Sequence, residues 1–193
     1  MHDVLDKLPI MTVAEFLDWP GDPSGRTFQL ADGEVQAVSP ASATQATIQM
    51  TLGALICNTL VAAGSRCRVV AEPGVITQIR AHMNMRVPDL GITATADAPG
   101  QRALPDPLVL IEILSPGNAK DTWDNVWAYT TIPTVREIAV VHSTRVLAEL
   151  LRRGADGHWR EQTEKIEPDG TLRLESIGFS CRLREAYAQT HLA

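Results

Sequence analysis

Residues 108–114 read Leu-Val-Leu-Ile-Glu-Ile-Leu, six aliphatic side chains around a single carboxylate at Glu112. The run has the length of a β-strand, and it lacks the alternation of a strand with one wet face. It therefore belongs to a strand covered on both sides. A sheet with helices packed on it, an α/β or mixed α+β architecture, is the arrangement that covers such a strand. An ionised carboxylate inside it is costly unless it is paired, hydrogen-bonded or bound to metal. Glu112 thus reads as a ligand or catalytic acid, or as a strand-end residue reaching solvent or an arginine.

Elements fall into place outward from this run. Downstream, Ser115 to Asn118 (SPGN) is a turn, and residues 121–131 form a helix carrying Trp123, Val126, Trp127 and Tyr129, ended by Pro133. Residues 137–142 and 146–152 are strands. Asp156 and Gly157 turn the chain into a strand over 159–163, 172–174 is a short strand, and 183–190 closes the chain as a helix. Upstream, 93–107 is a polar loop, 86–92 a strand, 80–85 a connection, and 68–71 and 75–79 are strands. Residues 44–63 form the longest helix, with Ile48, Leu52, Leu55, Ile56 and Leu60 at helical spacing and Gly64 at the C′ position. Residues 26–38 are a hairpin turning at Asp32-Gly33, and 11–19 are a short helix with Thr12 and Glu15 as a capping box.

A chain of 193 residues with 45% hydrophobic content is expected to form one domain over 1–193. No apolar run is long enough to span a bilayer, and Met1-His2-Asp3 lacks the pattern of a signal peptide, so a cytoplasmic protein is expected. Cys57, Cys67 and Cys181 are scattered and read as buried or partly buried free thiols. The net charge of −6 argues against a broadly basic nucleic-acid surface. A bound metal with a local arginine cluster can still reverse the field in one cleft. Arg66, Arg68, Arg80 and Arg86 are candidates for that cluster, with scattered surface arginines as the alternative. Lysines occur only at 7, 120 and 165.

Asp89 is a second acid in an apolar strand, within Arg86 to Ile92 (RVPDLGI). Neighbouring strands can bring two such acids together, and a hard cation relieves their repulsion. Oxygen ligands with open positions suit Mg²⁺ or Mn²⁺, which can bind a phosphoryl oxygen and activate water.

Taken together, Phe28 to Val35 (FQLADGEV), Ser39-Pro40 before a long helix, Val87 to Leu90 (VPDL), Ile111 to Pro116 (IEILSP) and a helix ending near Tyr129 resemble the Uma2 family. This family, also called DUF820, comprises restriction-endonuclease-like proteins of the PD-(D/E)xK superfamily, and the resemblance spans about residues 11–179. It implies a restriction-endonuclease-like core, a central mixed sheet flanked by helices. It also implies a Mg²⁺ (or Mn²⁺) site, DNA phosphodiester cleavage and a two-fold homodimer. Asp89 matches the acid of the PD motif, Glu112 the second acid, and Glu34 the acid of the DGE turn, a further candidate ligand.

Several positions depart from the family pattern. Where the superfamily motif has lysine two residues after the second acid, this chain has Leu114. The lysine that such sequences move onto the following helix corresponds to Asn125, and Lys120 is the nearest lysine. Gln29 and Thr44 stand where the family often carries an acid and a histidine. Three readings follow. One is a metal-dependent nuclease using Asp89, Glu112 and Lys120 or Asn125. Another is a catalytically degenerate member serving as a binding or oligomerisation module. The third is a structural domain whose acids pair with Arg86 or another base. The pair Trp123 and Trp127 reads as core or interface, with base stacking as the alternative.

Overall fold

The aliphatic run becomes the strand Pro107–Leu114, covered on both faces as its composition requires. The computed structural model describes residues 9–23 and 25–193. Elements in chain order are α1 (Val13–Asp18), β1 (Phe28–Ala31), β2 (Glu34–Ala37), α2 (Ala43–Ala62), β3 (Arg68–Ala71), β4 (Val75–Ile76), β5 (Met85–Arg86), β6 (Leu90–Thr93) and β7 (Pro107–Leu114). There follow α3 (Ala119–Tyr129), β8 (Glu137–His142), β9 (Ala148–Arg152), β10 (Glu164–Ile166), β11 (Thr171–Leu174) and β12 (Phe179–Arg182). A six-stranded sheet runs β10-β9-β8-β7-β6-β3, with β7 and β8 parallel and the other neighbours antiparallel. The connection between the parallel pair contains α3, as a parallel crossover requires. A four-stranded sheet, β2-β1-β5-β4, stands beside it, and β11 pairs with β12.

Alternation along β7 divides the core. Val109, Ile111 and Ile113 pack with Ile48, Leu52, Ile56 and Leu60 of α2. Leu110 and Leu114 face the other way, toward Val126 and Tyr129 of α3 and Ile138 and Val140 of β8. Glu112 shares the parity of Leu110 and Leu114, so it points to the α3 side.

Local signals explain the caps and turns. Ser42 and Gln45 form a reciprocal capping box at the start of α2, as Thr12 and Glu15 do for α1. Asp32 and Gly33 both adopt positive φ, 50° and 85°, which a two-residue hairpin turn needs. Asn84, fully buried, clamps that turn by accepting from the Asp32 N–H at 2.9 Å and donating to its carboxylate at 3.0 Å.

Some expectations are corrected. The strand expected over 86–92 is two strands in different sheets, β5 and β6. Pro88 lies between them, has no N–H to give a ladder, and marks the crossing from one sheet to the other. The strand expected over 75–79 ends at Ile76. Residues 159–163 make only an isolated bridge from Trp159 to Arg153, and the strand beside β9 is β10. Trp159 is drawn away by tertiary contacts: its indole N–H donates to the Thr130 carbonyl at 2.9 Å, and Arg153 lies 4.8 Å over its ring. The closing segment is a short 3-10 helix, Leu183–Tyr187, and β12 before it was not foreseen. Cys57 is exposed, because it lies on the face of α2 opposite Ile48 and Leu52. Among the described residues no helix is long and apolar enough to cross a membrane.

Candidate metal centre

Strand register brings the two acids together. β6 runs antiparallel to β7 with Leu90 opposite Ile111, so Asp89, one residue earlier, stands opposite Glu112. Leu90 and Ile111 face the α2 side, which sends the Asp89 and Glu112 side chains to the other face. Three bonds fix Asp89. Its Oδ2 accepts the Ile113 N–H at 2.6 Å, and its carbonyl accepts from Gln49 Nε2 at 2.9 Å and from the Glu72 N–H at 3.0 Å.

Glu112 is held from α3. Its Oε1 accepts the Tyr129 hydroxyl at 2.7 Å and Asn125 Nδ2 at 3.4 Å, and that amide also reaches Gln29 Oε1 at 3.3 Å. Set opposite each other by the β6–β7 pairing, the two carboxylates are close enough for each to affect the other's ionisation. Burial raises the Asp89 pKa to about 6, with the nearby Glu72 charge adding and the Ile113 N–H opposing. Burial, and then the Asp89 charge, push Glu112 well above the carboxylate range. At neutral pH such a pair holds a proton between its carboxylates or accepts a cation.

Oxygen dominates the surroundings. Asn125 Oδ1 is buried with no hydrogen-bond partner among the described residues, so it can accept one more donor or a cation. Three adjoining cavities run along the seam between the two sheets. The middle one, about 340 Å³, is lined by Glu112, Gln29, Asn118 and Asn125. Asp89, Gln45 and Glu72 line a second of about 350 Å³, and Glu34, Arg86, Lys120 and Asn125 a third of about 430 Å³. Carboxylates Asp89 and Glu112 with an amide oxygen form a hard donor set that fits Mg²⁺ or Mn²⁺.

The remaining sequence candidates sit further out. Glu34 is exposed and lines the third cavity. Among the described residues, no three His, Cys, Asp or Glu side chains gather as a metal cluster, so Glu34 does not join the pair. Lys120 is exposed at the mouth of that cavity with Nζ 2.7 Å from Asp124, one turn along the helix, and it makes no hydrogen bond to Glu112. Leu114 packs into the α3-side core. Of the four candidate arginines, Arg68 pairs with Asp97 at 3.1 Å and Arg80 with Asp32 at 3.6 Å, so two are already offset by acids. Trp123 is half-buried against the core and Trp127 is exposed, their rings 6.3 Å apart.

Sequence reasoning passed over Tyr129, Gln49 and Glu72. Tyr129 carried a readable signal: it follows Asn125 by four residues, so its hydroxyl lies on the same helical face. Gln49 and Glu72 approach Asp89 only through tertiary packing.

Comparisons with known proteins bear on the family and the fold. The Uma2 family, described as "Putative restriction endonuclease", matches residues 13–184. A solved structure described as "a putative nuclease belonging to DUF820 from Anabaena variabilis ATCC 29413" superposes with a TM-score of 0.72 at 17% identity, covering 92% of this chain and 98% of that one. At that identity the likeness concerns the fold. No curated protein matches the chain.

Proposed function

The chain belongs to the Uma2 family, and from that premise we propose that it is a divalent-metal-dependent endonuclease hydrolysing DNA phosphodiester bonds. Asp89 and Glu112 would hold the Mg²⁺ or Mn²⁺ ion. The observation that carries the reading is that strand register sets these two acids opposite each other, both with raised pKa values.

Bound there, the ion supplies a Lewis acid for a phosphoryl oxygen and a water of lowered pKa. The chain's own residues have separate tasks. The Ile113 N–H holds the Asp89 carboxylate in place as a ligand. Tyr129 and Asn125 orient Glu112 by donating to Oε1 and favour its charged form. Asn125, at the position matching the family's helix lysine, contributes a neutral dipole where a cation is expected. Lys120, freed from Asp124, would reach phosphate at the cavity mouth, and Glu34 would act through water.

A second reading has its own observation: no lysine ammonium reaches the acid pair, Leu114 being in the core and Lys120 tied to Asp124. On that reading the chain keeps metal and nucleic-acid binding and has lost turnover. The proposal also includes one domain over 1–193, a homodimer, which sedimentation velocity tests, and a cytoplasmic location. The deciding assay incubates plasmid, linear and single-stranded DNA with Mg²⁺ or Mn²⁺. Cleavage by the wild type that disappears in Asp89→Ala supports the nuclease. Metal binding without cleavage of any form supports the second reading.

A further inference from the structure

Arg86 is a partly buried cation with no direct ion-pair partner among the described residues. It ends β5 in the four-stranded sheet, and Pro88 carries the chain from there into the six-stranded sheet. One guanidinium nitrogen, Nη2, donates to Asn84 Oδ1 at 3.2 Å. Asn84 is fully buried and anchored on Asp32 and the Ile79 carbonyl, so the guanidinium is positioned from behind by a rigid group. Its Nε–H is buried and has no hydrogen-bond partner. Among the described residues no carboxylate lies within ion-pair distance of it.

A partly desolvated guanidinium with an idle N–H is destabilised unless an acceptor arrives. Burial lowers the Arg86 pKa, and the charges that counter this, from Asp32, Asp124 and Asp121, act without direct contact. Two of these three acids are already engaged, Asp32 by Arg80 and Asp124 by Lys120. Arg86 opens onto the cavity of about 430 Å³ that Asn125 also lines. It also lies near enough to Tyr129, the residue bonded to Glu112, for the two to interact electrostatically. Arg86 and Asn125 thus line one cavity, and Asn125 and Glu112 line the adjoining one.

We propose that Arg86 binds a phosphoryl oxyanion in this cavity and supplies the positive charge missing at Leu114 and Asn125. The inference rests on the nuclease reading for the source of that group, a DNA phosphodiester, while free phosphate offers the same chemistry. Guanidinium suits the task, because its forked N–H groups match a tetrahedral oxyanion. Four carboxylates, Asp32, Glu34, Asp121 and Asp124, line the same cavity, so the oxyanion is expected to bind more tightly with Mg²⁺ present.

Proton–nitrogen NMR of the arginine Nε–H groups tests this on the full chain. The Arg86 signal is the one lost in Arg86→Lys. The wild type is titrated with inorganic phosphate, and separately with a short DNA oligonucleotide, each with and without Mg²⁺; Mn²⁺ binding is measured in parallel. A downfield shift of that signal supports the proposal, as does a tenfold or greater loss of oligonucleotide affinity in Arg86→Gln with Mn²⁺ affinity retained. A shift with phosphate alone assigns an anion site not selective for DNA. If neither probe moves the signal, or the oligonucleotide binds Arg86→Gln as well as wild type, the proposal is overturned. If the signal shifts but the wild type binds no Mn²⁺, the anion site stands and the metal-dependent nuclease falls.

Discussion

The backbone N–H of Ile113 donates to Oδ2 of Asp89 at 2.6 Å, so the first acid is fastened to the strand that carries the second. The bond does two things. It fixes the Asp89 carboxylate against β7, and with the β6–β7 pairing it sets the separation of Asp89 and Glu112. A site held by backbone register is pre-organised, so little ordering cost remains when an ion binds.

This bond separates two substitutions of the same residue. Asp89→Asn keeps an oxygen for the Ile113 N–H, whereas Asp89→Ala leaves that buried donor unpaired at a cost of roughly 1–3 kcal/mol. Both variants are expected to lose metal binding, but only Asp89→Ala should lower the denaturation midpoint of the metal-free protein. Chemical denaturation of the three proteins in EDTA measures the difference. Equal destabilisation by both would remove the Ile113 bond from the account.

Stability should depend on pH with an inverted sign for this pair. Both acids are raised, so the native state keeps protons that the unfolded chain releases. The contribution is fully present below the ordinary carboxylate pKa and is lost as pH rises through about 6 for Asp89. For Asp89 it is on the order of 1–3 kcal/mol. Metal binding releases the same protons, so Mg²⁺ should raise the melting temperature more at pH 7.5 than at pH 5. Asp89→Asn should flatten the metal-free profile, which melting curves across this range would reveal.

Tyr129→Phe removes the shorter of the two hydrogen bonds that hold Glu112. The variant should lose about 1 kcal/mol of stability. Its metal affinity at pH 7 should fall roughly tenfold, as for other residues that orient ligands. The loss should shrink at higher pH, where Glu112 ionises without help. Calorimetric titration with Mn²⁺ at two pH values would show a pH-independent loss if Tyr129 merely filled space.

Restoring a lysine should act differently at the two candidate positions. Asn125→Lys places an ammonium beside Glu112 and should raise Mg²⁺-dependent cleavage by tenfold or more. Leu114→Lys takes a side chain out of the α3-side core and should cost roughly 2 kcal/mol without a comparable gain. Lys120→Ala should leave metal binding unchanged, because its Nζ is engaged with Asp124. Initial cleavage rates and melting temperatures of the two lysine-gain variants, with calorimetric Mn²⁺ titration of Lys120→Ala, check these outcomes.

Much of the fold was legible because the decisive strands are short and uniformly apolar. The two-sided burial of β7 followed from its composition, while the side to which Glu112 points came from the packing of α2 and α3. The hairpin at Asp32-Gly33 and the capping box of Thr12 and Glu15 were written in local chemistry, whereas the Ser42–Gln45 box was not singled out. The division of residues 86–92 was harder to read: RVPDLGI is apolar enough for one strand, and only the sheet partners show that Arg86 and Leu90 belong to different sheets. That division matters for the site, because it leaves Arg86 on one cavity and Asp89 on another. Asn125 was found through family resemblance. Gln49 and Glu72 reach Asp89 by packing alone, which no periodicity records.

The central claim is that Asp89 and Glu112 hold one divalent ion, and titration of the full chain with Mn²⁺, read by calorimetry or by loss of the free-ion electron-spin signal, tests it most directly. The account predicts one Mn²⁺ per wild-type chain, competed by Mg²⁺, and loss of that site in Asp89→Asn, which keeps the fold. A wild type that binds no Mn²⁺, or an Asp89→Asn variant that binds it equally well, would contradict the account.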